Sequence, residues 1–123
     1  MARVIHFDLA APDPERAKQF YEAAFDWTVQ KWDGPMEYWL ITTGPETAAG
    51  IDGGLGRGEA RLTEGDLTLA VDSVDDAVQR VIANGGSVAR EKSPVPGVGY
   101  LAYIDGPDGN RFGLMQLDAT AGR

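Results

Sequence analysis

Val4-Ile5-His6-Phe7-Asp8-Leu9-Ala10 and, further along, Asp66-Leu67-Thr68-Leu69-Ala70-Val71 are two short extended runs, and each leads into a helical stripe. Their repetition decides the fold. After the first run, Ala17, Phe20, Tyr21, Ala24 and Phe25 follow the i, i+3, i+4, i+7, i+8 spacing of a helix with one buried face. Asp13 suits its N-cap, Pro14 its first turn, and Glu15 the positive end of its dipole. After the second run, Val74, Ala77, Val78, Val81 and Ile82 repeat the stripe, with Asp72 and Ser73 as cap candidates and Asn84-Gly85-Gly86 as the stop. Sliding the chain by 60 positions lays His6 on Asp66, Leu9 on Leu69, Ala10 on Ala70 and Ala17 on Ala77.

Each half continues into further strands. Tyr38 to Thr43 and Ile51 to Leu55 are expected in the first, and Ser87 to Arg90, Tyr100 to Asp105 and Arg111 to Leu117 in the second. Gly53-Gly54, Pro94 to Gly99 and Gly106-Pro107-Asp108-Gly109-Asn110 punctuate them, the last as a tight turn between antiparallel neighbours. The expectation is an α+β fold in one domain over residues 1–123, with module one at about 1–60 and module two at about 61–118. Only the tail Ala119 to Arg123 is expected to fray. At 123 residues, 43% of them hydrophobic, the chain is long enough to close one core and too short for two.

Composition removes several classes of function. A net charge of −8 argues against nucleic acid, whose binding rests on clustered Lys and Arg. No apolar run approaches the ~20 residues of a membrane span, and the N-terminus turns polar too soon for a signal peptide, so a cytoplasmic protein is expected. With no cysteine, any metal would need His, carboxylate or backbone oxygen ligands.

Strand alternation turns Ile5, Phe7 and Leu9 towards the helices and leaves His6 and Asp8 on the opposite face. The second half repeats this, with Leu67, Leu69 and Val71 inward and Asp66, Thr68 and Ala70 on the far side. If that surface curls into a cup, His6 and Asp66 occupy equivalent positions and are candidate ligands of a divalent metal. The plainer readings are a strand histidine bonded to a neighbour and a solvated aspartate. Trp27 suits helix-end packing, whereas Trp32, Tyr38, Trp39 and Tyr100 are candidates for a ligand-lining group.

His6-Phe7-Asp8-Leu9, Phe20-Tyr21, Phe25-Asp26-Trp27, Leu69-Ala70-Val71-Asp72 and Gly106-Pro107-Asp108-Gly109-Asn110-Arg111-Phe112 together resemble the vicinal-oxygen-chelate superfamily of glyoxalases, bleomycin-resistance proteins and extradiol dioxygenases, over essentially the whole chain. The resemblance implies two βαβββ modules whose curved mixed sheets form a cup, commonly completed by pairing two chains. It implies, in metal-dependent members, a divalent ion held by a first-strand His, a His or similar residue opening the second module, and a last-strand Glu. His6 matches the first of these; Asp66 stands at the second and Gly113 at the third. A further carboxylate position falls in Tyr38 to Thr42, which holds none, with Glu37 nearby but out of phase.

Two classes of function follow. One is a small-molecule-binding protein without the complete metal site, resembling the bleomycin-resistance branch, its acidity and aromatic residues suited to a cationic ligand. The other is a lyase, isomerase or dioxygenase of a small vicinal-oxygen substrate, with His6 as metal ligand or general base and Asp8 assisting it. A homodimer is expected in either case, because open sheet edges call for cover.

Overall fold

The computed structural model describes residues 1–122. β1 (Phe7–Ala11) enters α1 (Pro14–Phe25) through Asp13, whose carboxylate accepts the Arg16 backbone N–H at 3.2 Å. β2 (Thr28–Lys31), β3 (Trp39–Thr42) and β4 (Gly53–Arg57) complete the first module. The second repeats the order with β5 (Leu67–Ala70), α2 (Val74–Ala83), β6 (Ser87–Val95), β7 (Gly99–Asp105) and β8 (Arg111–Leu117). The sheets run β1-β4-β3-β2 and β5-β8-β7-β6, the first and last strands of each module pairing in parallel and the rest antiparallel. This is the expected pair of βαβββ modules, but the two sheets stay separate and do not close into one cup within the chain.

Several sequence expectations shift. β2 had no recognisable period because only Val29 of its four residues is buried. It is held from α1 instead, where Glu22 accepts the Val29 N–H at 3.1 Å and Lys18 donates to the Val29 carbonyl at 2.6 Å. β4 begins at Gly53 rather than Ile51, and β6 runs on to Val95 through two register shifts, its Pro94 tolerated because β6 is an edge strand. Ile5 precedes β1 and is 81% exposed instead of facing the helices. Ala121 in the supposedly frayed tail is fully buried, its carbonyl accepting the Gly97 N–H; Arg123 lies outside the described residues.

One core joins the modules. Leu9, Phe20, Tyr21, Trp27, Trp39 and Leu55 of the first pack continuously with Val81, Ile104, Phe112 and Leu114 of the second. Phe112 of β8 meets the α1 rings of Tyr21 and Phe25 edge-on at 6.0 and 5.5 Å. The helix-facing sides of both sheets are therefore used up, and the alternate residues face away from the core.

A buried polar knot fixes this arrangement. Asn110, fully buried, donates to the Ala10 carbonyl of β1 and to Asp108, both at 2.8 Å, and accepts the backbone N–H groups of Arg61 and Leu62 at 3.1 and 2.9 Å. Tyr21 donates to the same Asp108 carboxylate. Burial, then the Asp108 charge, drives the Tyr21 phenol far above its ordinary pKa, so it stays a donor. Asn110→Ala strands three backbone groups and is expected to cost about 3 kcal/mol in urea unfolding, against under about 1 kcal/mol for Asn84→Ala at a half-buried helix end. Equal losses would show that the knot is not a keystone.

Candidate functional site

His6, one residue ahead of β1, and Asp8, within it, share the sheet face turned from the core. Asp8 pairs with Gly54 of β4, and Gly54 pairs in turn with Leu40 of β3. Tyr38, just ahead of β3, lays its ring across Gly54, where an added Cβ would sit 1.6 Å from the phenol oxygen. The bare glycine lets Tyr38 reach β1. Its hydroxyl donates to Asp8 Oδ1 at 2.5 Å and lies 3.0 Å from His6 Nε2, which is itself 3.3 Å from Asp8 Oδ1.

The single phenol hydrogen is given to Asp8, so towards His6 the Tyr38 oxygen can only accept. The Asp8 carboxylate, when ionised, can only accept as well. Both partners of Nε2 are therefore acceptors, which puts the imidazole hydrogen on Nε2 and leaves Nδ1 with its lone pair on a half-exposed ring. The Tyr38 bond, ahead of the His6 contact, holds the Asp8 carboxyl below its usual range. Burial and that same bond push the Tyr38 phenol up to about 12, so near neutrality Asp8 is charged and Tyr38 is not.

The other sequence candidates are placed differently. Trp32 follows β2 at 37% exposure, and its ring meets Tyr38 edge-on at 6.4 Å, at the margin of the cluster. Trp39 is 2% exposed and belongs to the core rather than to a ligand surface. It is in phase with Ile41, so the pleat turns Leu40 outward in its place; the buried indole N–H has no partner among the described residues. Tyr100 is likewise not on the face equivalent to that of the cluster. It shares the side of Ala102 and Ile104 and lies under the Lys92 ammonium, which pairs with Asp75 of α2. Asp66 is exposed just ahead of β5, and no bond joins it to His6. Gly113 faces Thr68, Leu101 and Tyr103 on the second sheet.

Two residues were missed. The strand beside β1 is β4, so continuing the register by one residue opposes His6 to Asp52. That carboxylate is spent on the Thr43 backbone N–H at 2.8 Å, while Glu37 is tied to Arg57. Arg61, in the connection between modules, acts electrostatically on both Asp8 and Tyr38. The glycine-rich run Gly53-Gly54-Leu55-Gly56 was the available signal that something lies close over this strand.

A divalent ion ordinarily takes three or more protein donors. Among the described residues no group of three or more His, Asp or Glu side chains gathers closely enough to hold one. The neighbouring clefts, about 420 Å3 beside Phe7 and Leu67 and about 530 Å3 beside Ile5 and Asp52, are not lined by His6, Asp8 or Tyr38. The cluster stands on an open surface.

The sequence profile of the glyoxalase/bleomycin resistance protein/dioxygenase superfamily matches residues 3–114. The chain belongs to this superfamily. A lactoylglutathione lyase of Escherichia coli O157:H7 is 28% identical to this superfamily member, with 98% of the chain and 96% of the relative aligned. A putative lactoylglutathione lyase of Brassica oleracea is 31% identical over 96% of the chain, which spans 45% of that longer relative. Among solved structures, a glyoxalase I mutant from Zea mays superposes with a TM-score of 0.72 at 26% identity, covering 93% of this chain and 44% of the maize chain. The fosfomycin resistance protein FosX of Listeria monocytogenes, at 18% identity and a TM-score of 0.75, shares the fold, covering 96% of this chain and 92% of its own. No helix is long and apolar enough to cross a membrane among the described residues.

In this superfamily member, Tyr38→Phe and Gly54→Ala should act alike, one deleting the phenol and the other displacing it. In both, the Asp8 carboxyl resonance is expected to titrate at higher pH than in the wild type. Because the folded value is depressed, the associated stability is present above the ordinary carboxyl pKa and is lost as pH falls through the folded one. Both variants should flatten that acid limb; unchanged Asp8 titrations would show that Tyr38 does not hold the carboxylate.

Proposed function

We propose that the chain acts on a small oxygen-bearing molecule at the His6–Asp8–Tyr38 cluster, by proton transfer of the lyase or isomerase kind. The observation that supports this most is the pair of acceptors around His6 Nε2, which leaves Nδ1 as a base backed by a carboxylate. A proton on carbon beside a carbonyl passes to Nδ1, the C–H electron pair moves onto the carbonyl oxygen as an enolate, and Asp8 balances the imidazolium. Where the carbon that loses the proton also bears a hydroxyl, transfer of that hydroxyl hydrogen to the enolate oxygen and return of the first proton from Nδ1 to the former carbonyl carbon complete an isomerisation. The kinship with proteins named lactoylglutathione lyase supports the reaction class.

Solvent deuterium exchange into dihydroxyacetone tests the step without knowledge of the natural substrate. The wild type is expected to accelerate exchange, and His6→Ala to lose at least about a hundredfold of that acceleration. Exchange no faster than with His6→Ala would remove the proton-transfer reading. A binding-only protein without the usual metal would then come forward, a reading favoured by the lack of a three-donor group among the described residues. Elemental analysis after dialysis against divalent metal separates the third possibility. Near-stoichiometric metal lost in His6→Ala would bring forward a metal-dependent lyase, isomerase or dioxygenase.

The open face, with Leu40 exposed beside the cluster, supports a homodimer in which a second copy covers the site. Analytical ultracentrifugation should give a dimer at micromolar concentration, and a strict monomer would remove that part of the proposal.

A further inference from the structure

The connection from β4 to β5 folds back over the end of β1. Gly58 donates its N–H to the Ala11 carbonyl at 3.0 Å, and a Cβ built on it would lie 3.7 Å from that of Ala10. Asn110 then holds the Arg61 and Leu62 N–H groups with the same side chain that grips the Ala10 carbonyl. The Arg61 backbone is thereby fixed by a buried amide beside Ala10, which lies two residues along β1 from Asp8. The Arg61 side chain is exposed, and no carboxylate among the described residues forms an ion pair with it. In a chain of net charge −8, a guanidinium with no ion-pair partner among the described residues, carried on a backbone anchored beside β1 and acting electrostatically on Asp8 and Tyr38, is set to meet an anion.

We propose that Arg61 recognises the substrate at the His6–Asp8–Tyr38 site and that this substrate carries a carboxylate. The planar guanidinium matches a carboxylate through two parallel N–H···O bonds. A single positive charge in the neighbourhood of an ionised Asp8 favours a monoanion over a phosphate dianion, which would ask for more compensation. Arg61 also helps to keep Asp8 ionised, so one residue serves both the substrate's charge and the carboxylate behind the base. The inference rests on the proposed role of His6, and its test is read at His6.

His6 is the only histidine, so its imidazole resonances report the site without assignment ambiguity. Titration of the full-length protein with pyruvate should shift them saturably, and with the isosteric neutral pyruvamide at least about tenfold more weakly. Arg61→Ala should bring pyruvate down to the pyruvamide level, Arg61→Lys should retain part of the preference, and Arg90→Ala, at an exposed arginine of β6, should retain all of it. Equal binding of the two compounds, undiminished in Arg61→Ala, overturns the role of Arg61 and leaves His6 as the site. No response of His6 to either compound overturns both.

Discussion

The structure depends on a buried polar knot whose members cannot be left unpaired. Asn110 and Asp108 lie in the turn between β7 and β8, Tyr21 on α1, and their bonds end on the carbonyl of Ala10 in β1 and on the N–H groups of Arg61 and Leu62. Each of these groups would cost about 1–3 kcal/mol if buried without a partner, so the knot tolerates little displacement of the elements it joins. It also fixes where the connection between modules passes β1. The packing of Tyr21 and Phe25 on Phe112 then fills the space around it and turns the polar side of the first sheet outward.

On that outward side the chemistry rests on what is absent from Gly54. A side chain there would meet Tyr38, and without Tyr38 the Asp8 carboxylate and the His6 ring would lose their common partner. The repeat carries the same feature, since Asp8 pairs with Gly54 and Thr68, its equivalent in the second half, pairs with Gly113. The two halves keep the backbone device and differ in what they lay over it. The first presents a carboxylate, an imidazole and a phenol, the second a hydroxyl with Leu101 and Tyr103 around the glycine.

Much of the fold was legible. Both helices and the repeat follow from apolar spacing and from caps at Asp13 and Ser73, which are local signals. The Gly106–Asn110 turn was legible for the same reason, although its buried tie to β1 was not. β2 was missed because Glu22 and Lys18 hold it from another element. In the site, the facing of His6 and Asp8 came from strand alternation, and Tyr38 was singled out as an aromatic. Their convergence was hidden because it depends on which strand lies beside β1 and on the phase of β3. That phase also sent Trp39 into the core and Leu40 outward, the reverse of what their chemistry suggests. Arg61 carries no periodicity at all, and only the tertiary bonds of Asn110 place it.

The most direct test is the tautomer of His6, read from the 15N shifts of its ring at a pH where the imidazole is neutral. Tyr38 spends its hydrogen on Asp8 and both neighbours of Nε2 accept, so the hydrogen should reside on Nε2 with Nδ1 bare. That result leaves a base facing outward with a carboxylate behind it. A ring protonated on Nδ1, with Nε2 bare, would contradict the arrangement and remove the base on which the proposed chemistry stands.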